Sequence, residues 1–90
     1  MTKWVIRVDR TAEKQFRKLG TVSQKRIKKF IETTLKETPN PRVQGKMLSG
    51  PLKQYWRYRV GEYRLLADIQ DSIITILIVT IEHRKDVYRT

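Results

Sequence analysis

The chain has 90 residues, enough for one small domain and too few for a second independent core. It carries 20 Lys and Arg against 9 Asp and Glu, a formal net charge of +11 with a pI near 10.4, which points to a polyanion, an anionic membrane or an acidic protein as partner. Hydrophobic residues make up 39% of the chain, so a core can form and disorder is not expected, and a sequence without cysteine has no disulfide framework and no thiolate metal site.

Trp4, Ile6 and Val8 alternate with Lys3, Val5 and Arg7, the period of two that predicts an opening strand with one buried face. Charges run through this short apolar stretch, unlike the unbroken apolar core of a signal peptide, and the longest apolar run, Ile73 to Ile81, is far short of a membrane span. The expectation is a cytoplasmic protein with no membrane partner. Asp9 or Thr11 can cap a helix that carries Ala12, Phe16 and Leu19 and stops at Gly20, where a left-handed C-cap forms easily. Thr21 and Gln24 stand in capping-box relation ahead of Ile27, Phe30, Ile31, Thr34 and Leu35, whose i, i+3, i+4 spacing predicts a second helix. Lys25, Lys28, Lys29 and Lys36 fall together on its opposite side, either as a solvated face or as a secondary phosphate-contact surface.

Pro39 and Pro41 end that helix, and residues 38–54 read as a long connection, which in so small a domain is functional or mobile. The connection carries Arg42, Lys46 and Lys53 and no acid, with Met47, Leu48 and Leu52 available to anchor it on the core. Tyr55 to Leu66, Y-W-R-Y-R-V-G-E-Y-R-L-L, then reads as a hairpin, because Trp56, Tyr58 and Val60 alternate with Tyr55, Arg57 and Arg59. A two-residue Gly61-Glu62 turn pairs Val60 with Tyr63, Arg59 with Arg64 and Arg57 with Leu66. Three guanidinium groups therefore share one face, on which the hairpin offers no carboxylate. Like charges opposed across strands are destabilising, so this face is either a solvated surface or a place for a polyanion, whose phosphate oxygens suit the planar fork of Arg.

Leu65, Ala67 and Ile69 continue the buried face, Gln70-Asp71-Ser72 makes a turn, and Ile73 to Ile81 is apolar on both alternations, the mark of a central strand covered on both faces. A polar segment from Glu82 to Arg89, with Val87 as its apolar anchor, closes the chain. The order of strand, two-helix hairpin and antiparallel three-strand meander predicts an α+β sandwich with helices on one sheet face. The other face would carry Arg57, Arg59, Arg64 and the polar C-terminal segment around a basic hollow.

With these residues in place the chain resembles the RelE/ParE toxin superfamily, the small toxins of bacterial and archaeal toxin-antitoxin pairs, and stands closer to the RelE branch of messenger RNA interferases. The resemblance covers nearly the whole chain and rests on K-M-L-S-G-P-L at Lys46 to Leu52, Y-W-R-Y-R-V-G-E-Y-R-L at Tyr55 to Leu65 and H-R-K-D-V-Y-R at His83 to Arg89. It implies a microbial RNase-like fold in a single domain over residues 1–90. For the RelE branch it implies cleavage of messenger RNA in the ribosomal A site, by attack of the 2′-hydroxyl on the adjacent phosphate with no metal or other cofactor. Such chemistry takes a base, an acid and cations around the phosphorane.

Carried over by position, Arg64 matches the arginine of the family's Y-R-L strand and would stabilise the phosphorane. Arg57 matches a lysine of RelE proper, Arg59 a basic position beside it, and Tyr55 falls where RelE proper has another lysine. Tyr88 matches a near-terminal tyrosine that stacks on a base or takes part in proton transfer, and Arg84 belongs to the same closing motif. Lys46, Lys53 and Arg89 join Arg59 and Tyr55 as candidate RNA contacts. An arginine is effectively always protonated, so Arg57 is a poor general base, and His83, of the residue type that titrates near neutrality, becomes the local acid or base candidate. The resemblance also implies an acidic or amphipathic antitoxin, for which the edge from Trp4 to Val8 or the grooves between helices offer a seat. A ParE-like inhibitor of DNA gyrase and a non-catalytic nucleic-acid-binding protein stand as the alternatives.

Overall fold

The computed structural model describes residues 3–48, 50–52 and 54–83. One sheet contains β1 (Val5–Val8), β2 (Lys46–Met47), β3 (Trp56–Val60), β4 (Tyr63–Gln70) and β5 (Thr75–His83), in the spatial order β1-β5-β4-β3-β2. β1 runs parallel to β5 and the other pairings are antiparallel. Helices α1 (Arg10–Arg17) and α2 (Thr21–Lys29) connect β1 to the remaining strands and cover one sheet face. The expected α+β order is thus observed, with β2 added inside the long connection. Among the described residues no helix is long and apolar enough to cross a membrane.

The core lies between the helices and the middle of the sheet, where Ile27, Leu35, Tyr58, Leu65, Ile76 and Ile78 are fully buried. Burial of a large aliphatic or aromatic side chain contributes about 1.5–3 kcal/mol, so this layer dominates the stability of the fold. The hairpin has the register its spacing predicts, Val60 opposite Tyr63, Arg59 opposite Arg64 and Arg57 opposite Leu66. Gly61 takes φ +60° while Glu62 keeps a negative φ, the type II′ pattern that matches the twist of paired strands.

A β-bulge interrupts the pairing of β4 with β5. Leu66 lies opposite Thr80 and Ala67 opposite Ile78, so Val79 is the extra residue. Its consequence is directional: Ile81 and His83 turn to the helix face with Ile76 and Ile78, and Thr80 and Glu82 turn to the other. The Gln15 side chain from α1 accepts the Ile81 N–H at 2.6 Å, satisfying a donor within the irregular stretch.

Several local expectations are corrected. Gly20 is not a left-handed C-cap; at φ −69° and ψ 164° it is the extended N-cap of α2. Thr21 and Gln24 form no capping box either, because the Gln24 amide donates to the carbonyls of Phe16 and Leu19, both at 3.0 Å, and ties the two helices together. α2 continues into a π-type turn over Phe30–Leu35, in which the Lys36 N–H donates to the Ile31 carbonyl at 3.0 Å, five residues back. β5 starts at Thr75 rather than Ile73, since Asp71–Ile73 forms a 3-10 turn and Ile74 sits at φ +49°, a conformation that a β-branched residue rarely adopts. The strand is central but fully covered on one face only, as Leu77 and Val79 are half-buried.

Candidate functional site

Arg57 and Arg59 of β3 and Arg64 of β4 share the sheet face turned away from the helices, and β2 brings Lys46 opposite Arg57. With Val43, Gln44 and Gly45 these four cations line an open hollow of about 310 Å³. Among the described residues no acidic side chain lines it, so these residues hold a concentrated positive field over a concave surface. Arg57 and Arg64 are half-buried, whereas Arg59 and Lys46 are exposed. The first two are therefore held by their surroundings, and the second two stand at the rim.

The wall opposite the arginines is the connection, and of its three expected anchors Leu48 alone is half-buried. Met47 is 65% exposed and Leu52 46% exposed, so neither holds it to the core. Pro41 is buried instead, and its carbonyl accepts the hydroxyl of fully buried Tyr58 at 2.9 Å. The Trp56 indole donates to the Arg42 carbonyl at 3.1 Å. The Arg42 guanidinium lies 5.9 Å from the Trp56 ring centre and donates both ends of its fork to Asp71, at 2.9 and 2.7 Å. Those hydrogen bonds hold the Asp71 carboxyl below its ordinary pKa and raise that of Arg42. Burial pushes the Tyr58 hydroxyl well above its ordinary value. Gly45 makes the close approach possible: a Cβ there would stand 2.3 Å from the Arg57 carbonyl oxygen and 2.8 Å from the Tyr58 ring.

Of the closing segment Glu82 and His83 are described, and as successive strand residues they point to opposite faces, which corrects the expectation that both lie on the basic face. Glu82 is opposite Arg64 on that face, half-buried, and accepts the Thr80 hydroxyl at 3.2 Å. His83 is on the helix side, opposite Tyr63, with the two rings edge to face at 5.0 Å and its Nε2 3.4 Å from Glu62. Gln15 of α1, with Lys18 and Leu19 just after that helix, lines the cleft around His83. Tyr55 stands just before β3, half-buried, and does not line the hollow. Lys53, Arg84, Tyr88 and Arg89 lie outside the described residues.

Gly45 and Glu82 are the site residues that the sequence did not single out. A glycine beside Lys46 gives no sign of the backbone it will touch, and the face of Glu82 follows only once the bulge is known. Among the described residues no group of three His, Asp or Glu side chains gathers as a metal site.

A five-strand sheet with two helices on one face is the fold of RelE toxin structures. The chain belongs to the family of ParE toxins of type II toxin-antitoxin systems, whose pattern it matches over residues 6–88. Among solved structures it is similar to the toxin-antitoxin complex RelBE2 from Mycobacterium tuberculosis, with 29% identity, a TM-score of 0.85, and coverage of 92% of this chain and 100% of that one. The intact Escherichia coli RelBE complex shares the fold at 22% identity and a TM-score of 0.70, covering 89% and 95% of the two chains. A YoeB/ParE toxin from Agrobacterium tumefaciens does so at 12% identity and a TM-score of 0.68, covering 88% and 96%. No curated protein matches the chain.

Proposed function

We propose that this toxin, acting as a single domain, is a ribosome-dependent endoribonuclease that cleaves messenger RNA in the A site. The observation that carries the reading is the hollow itself: Lys46, Arg57, Arg59 and Arg64 converge on one concave surface that no acid lines among the described residues. In the reaction the 2′-oxygen attacks the adjacent phosphorus, the bond from phosphorus to the 5′-oxygen breaks, and the products are a 2′,3′-cyclic phosphate and a 5′-hydroxyl. Half-buried Arg64 and Arg57 stabilise the charge of the phosphorane, where fixed cations act most strongly. Arg59 and Lys46 hold the flanking phosphates from the rim. Glu82 takes the proton of the 2′-hydroxyl, since it is the described carboxylate opposite Arg64 on that face. Tyr88, with Arg84 of the same closing motif, supplies the proton to the 5′-oxygen. His83 has no part in the step because its strand position turns it to α1.

The solved complexes that share this fold are described as toxin with antitoxin, and we assign this chain a protein antitoxin as well. Its seat is the groove of about 450 Å³ beside β1, where Ile6, Val8, Phe16 and Ile31 lie among Glu13, Glu32, Lys28 and Lys36. A strand or amphipathic helix suits such a surface.

A second reading is inhibition of DNA gyrase, favoured by the match to the ParE family pattern and by arginine at position 57. Purified protein added to ribosomes programmed with message, with 5′ ends mapped by primer extension, separates the two. Cuts confined to ribosome-bound message support the nuclease. Intact message together with blocked supercoiling would support the gyrase reading instead.

A further inference from the structure

Besides the hollow at Arg64 there is a groove of about 620 Å³ between α2 and the end of the β3–β4 hairpin. Lys25, Arg26 and Lys29 line one wall and Arg59 the other, with no acidic side chain among the described lining residues. Among the described residues none of these four cations forms an ion pair. Phe30 and Val60 give the groove an apolar floor, and Thr33 and Thr34 add hydroxyls from the π-type turn. Such turns occur often at functional sites.

Arg59 is the link. It lines both this groove and the hollow at Arg64, because β2 covers β3 only as far as Arg57 and leaves the sheet without a neighbouring strand at Arg59. The Arg26 side chain reaches across to the hairpin turn, where a Cβ on Gly61 would meet its guanidinium at 2.7 Å. The groove on the other side of α2 differs in kind, since Lys28 and Lys36 share it with Glu13 and Glu32. The lysines thus divide into a pair on α2, Lys25 and Lys29, facing a groove that no described acid lines, and a pair facing a mixed one, Lys28 on α2 and Lys36 at the end of the π-type turn.

We propose that the groove between α2 and the hairpin is a second phosphate-binding segment for single-stranded RNA, continuous through Arg59 with the hollow at Arg64. The strand passes from the hollow over Arg59 and lays further phosphates against Lys25, Arg26 and Lys29. A concave channel that no described acid lines, with an apolar floor and hydroxyls, suits a sugar-phosphate chain better than the flat surface of a membrane. The proposal rests on reading the hollow at Arg64 as the RNA site, and its test is kept independent of cleavage.

The test is binding of a labelled single-stranded 2′-O-methyl RNA, which cannot be cut by its own 2′-oxygen, measured by fluorescence anisotropy over a range of salt. K25Q/K29Q should lower affinity about tenfold and flatten the slope of log affinity against log salt by about 1.4, the loss of two single-strand phosphate contacts. K28Q/K36Q removes the same charge and should leave the slope unchanged. Equal losses in the two variants overturn the proposal, because they report net charge alone. So does an unchanged slope in K25Q/K29Q, or a wild-type protein that does not bind. If message stays intact on ribosomes while K25Q/K29Q alone loses binding, the groove stands and the nuclease reading falls.

Discussion

Arg64 and Glu82 face each other across β4 and β5 and form the one described pairing of cation and carboxylate directly across strands on the basic face. On the proposed reading a phosphorane there would meet a fixed cation, and a 2′-hydroxyl a carboxylate. Glu82→Gln should therefore lower cleavage by about 10²–10⁴, the usual worth of a general base. His83→Gln should leave it within about threefold, and single-turnover rates on programmed ribosomes distinguish the two. Equal losses in both variants would return His83 to the site despite its strand position.

Tyr58 tests the wall of the same hollow. Tyr58→Phe leaves the Pro41 carbonyl without its buried donor and should cost about 1–3 kcal/mol in denaturant unfolding. Burial makes the folded chain hold the Tyr58 proton more tightly than the unfolded chain does. The hydroxyl's contribution is therefore complete below pH ~10, the ordinary tyrosine value, and is lost as pH rises beyond it. The wild type should lose stability on that alkaline side and Tyr58→Phe should lose less. Gly45→Ala forces β2 away from β3 and should cost about 1–3 kcal/mol, with a matching fall in RNA affinity because Lys46 moves with the backbone. Normal stability in this variant would show that the approach is not tight.

At the scale of elements the bulge decides what the site contains. Without Val79 as an extra residue, His83 would fall on the face of Arg64 and Glu82 on the face of the helices. Gln15 holds this irregularity from α1, so Gln15→Ala should destabilise the fold by about 1–3 kcal/mol through the orphaned Ile81 N–H. Hydrogen exchange should be fastest at Ile81; protection equal to that of the wild type would sink the account of the bulge. The hairpin register was legible from Gly61-Glu62 because a two-residue turn leaves no freedom in the pairing. The bulge was not legible, since I-I-T-I-L-I-V-T-I is apolar on either parity and gives no sign of where the alternation slips. The connection misled for a related reason: Met47 and Leu52 look like anchors by type, whereas Pro41 and the clamp of Arg42 on Asp71 depend on partners far along the chain. The three arginines could be placed early because they depend only on the hairpin. The fold was recognised from the order of its elements and from motifs that span the chain.

On the whole molecule the net charge of +11 is not spread evenly. Among the described residues no acid lines the hollow at Arg64 or the groove at Lys25, whereas the groove beside β1 mixes both signs around apolar residues. The first two suit a polyanion and the third a protein, so RNA and antitoxin need not compete for the same groups. The central claim is that the hollow at Arg64 cuts RNA, and the most direct test is the single-turnover cleavage rate of Arg64→Ala against wild type on the same programmed ribosomes. Circular dichroism and thermal melting of both proteins report the fold alongside. The account predicts a fall of about 10²–10³ in rate with folding intact, as expected when a preorganised donor to the transition state is removed. A folded variant that cuts within twofold of wild type would contradict it and leave the basic face a binding surface.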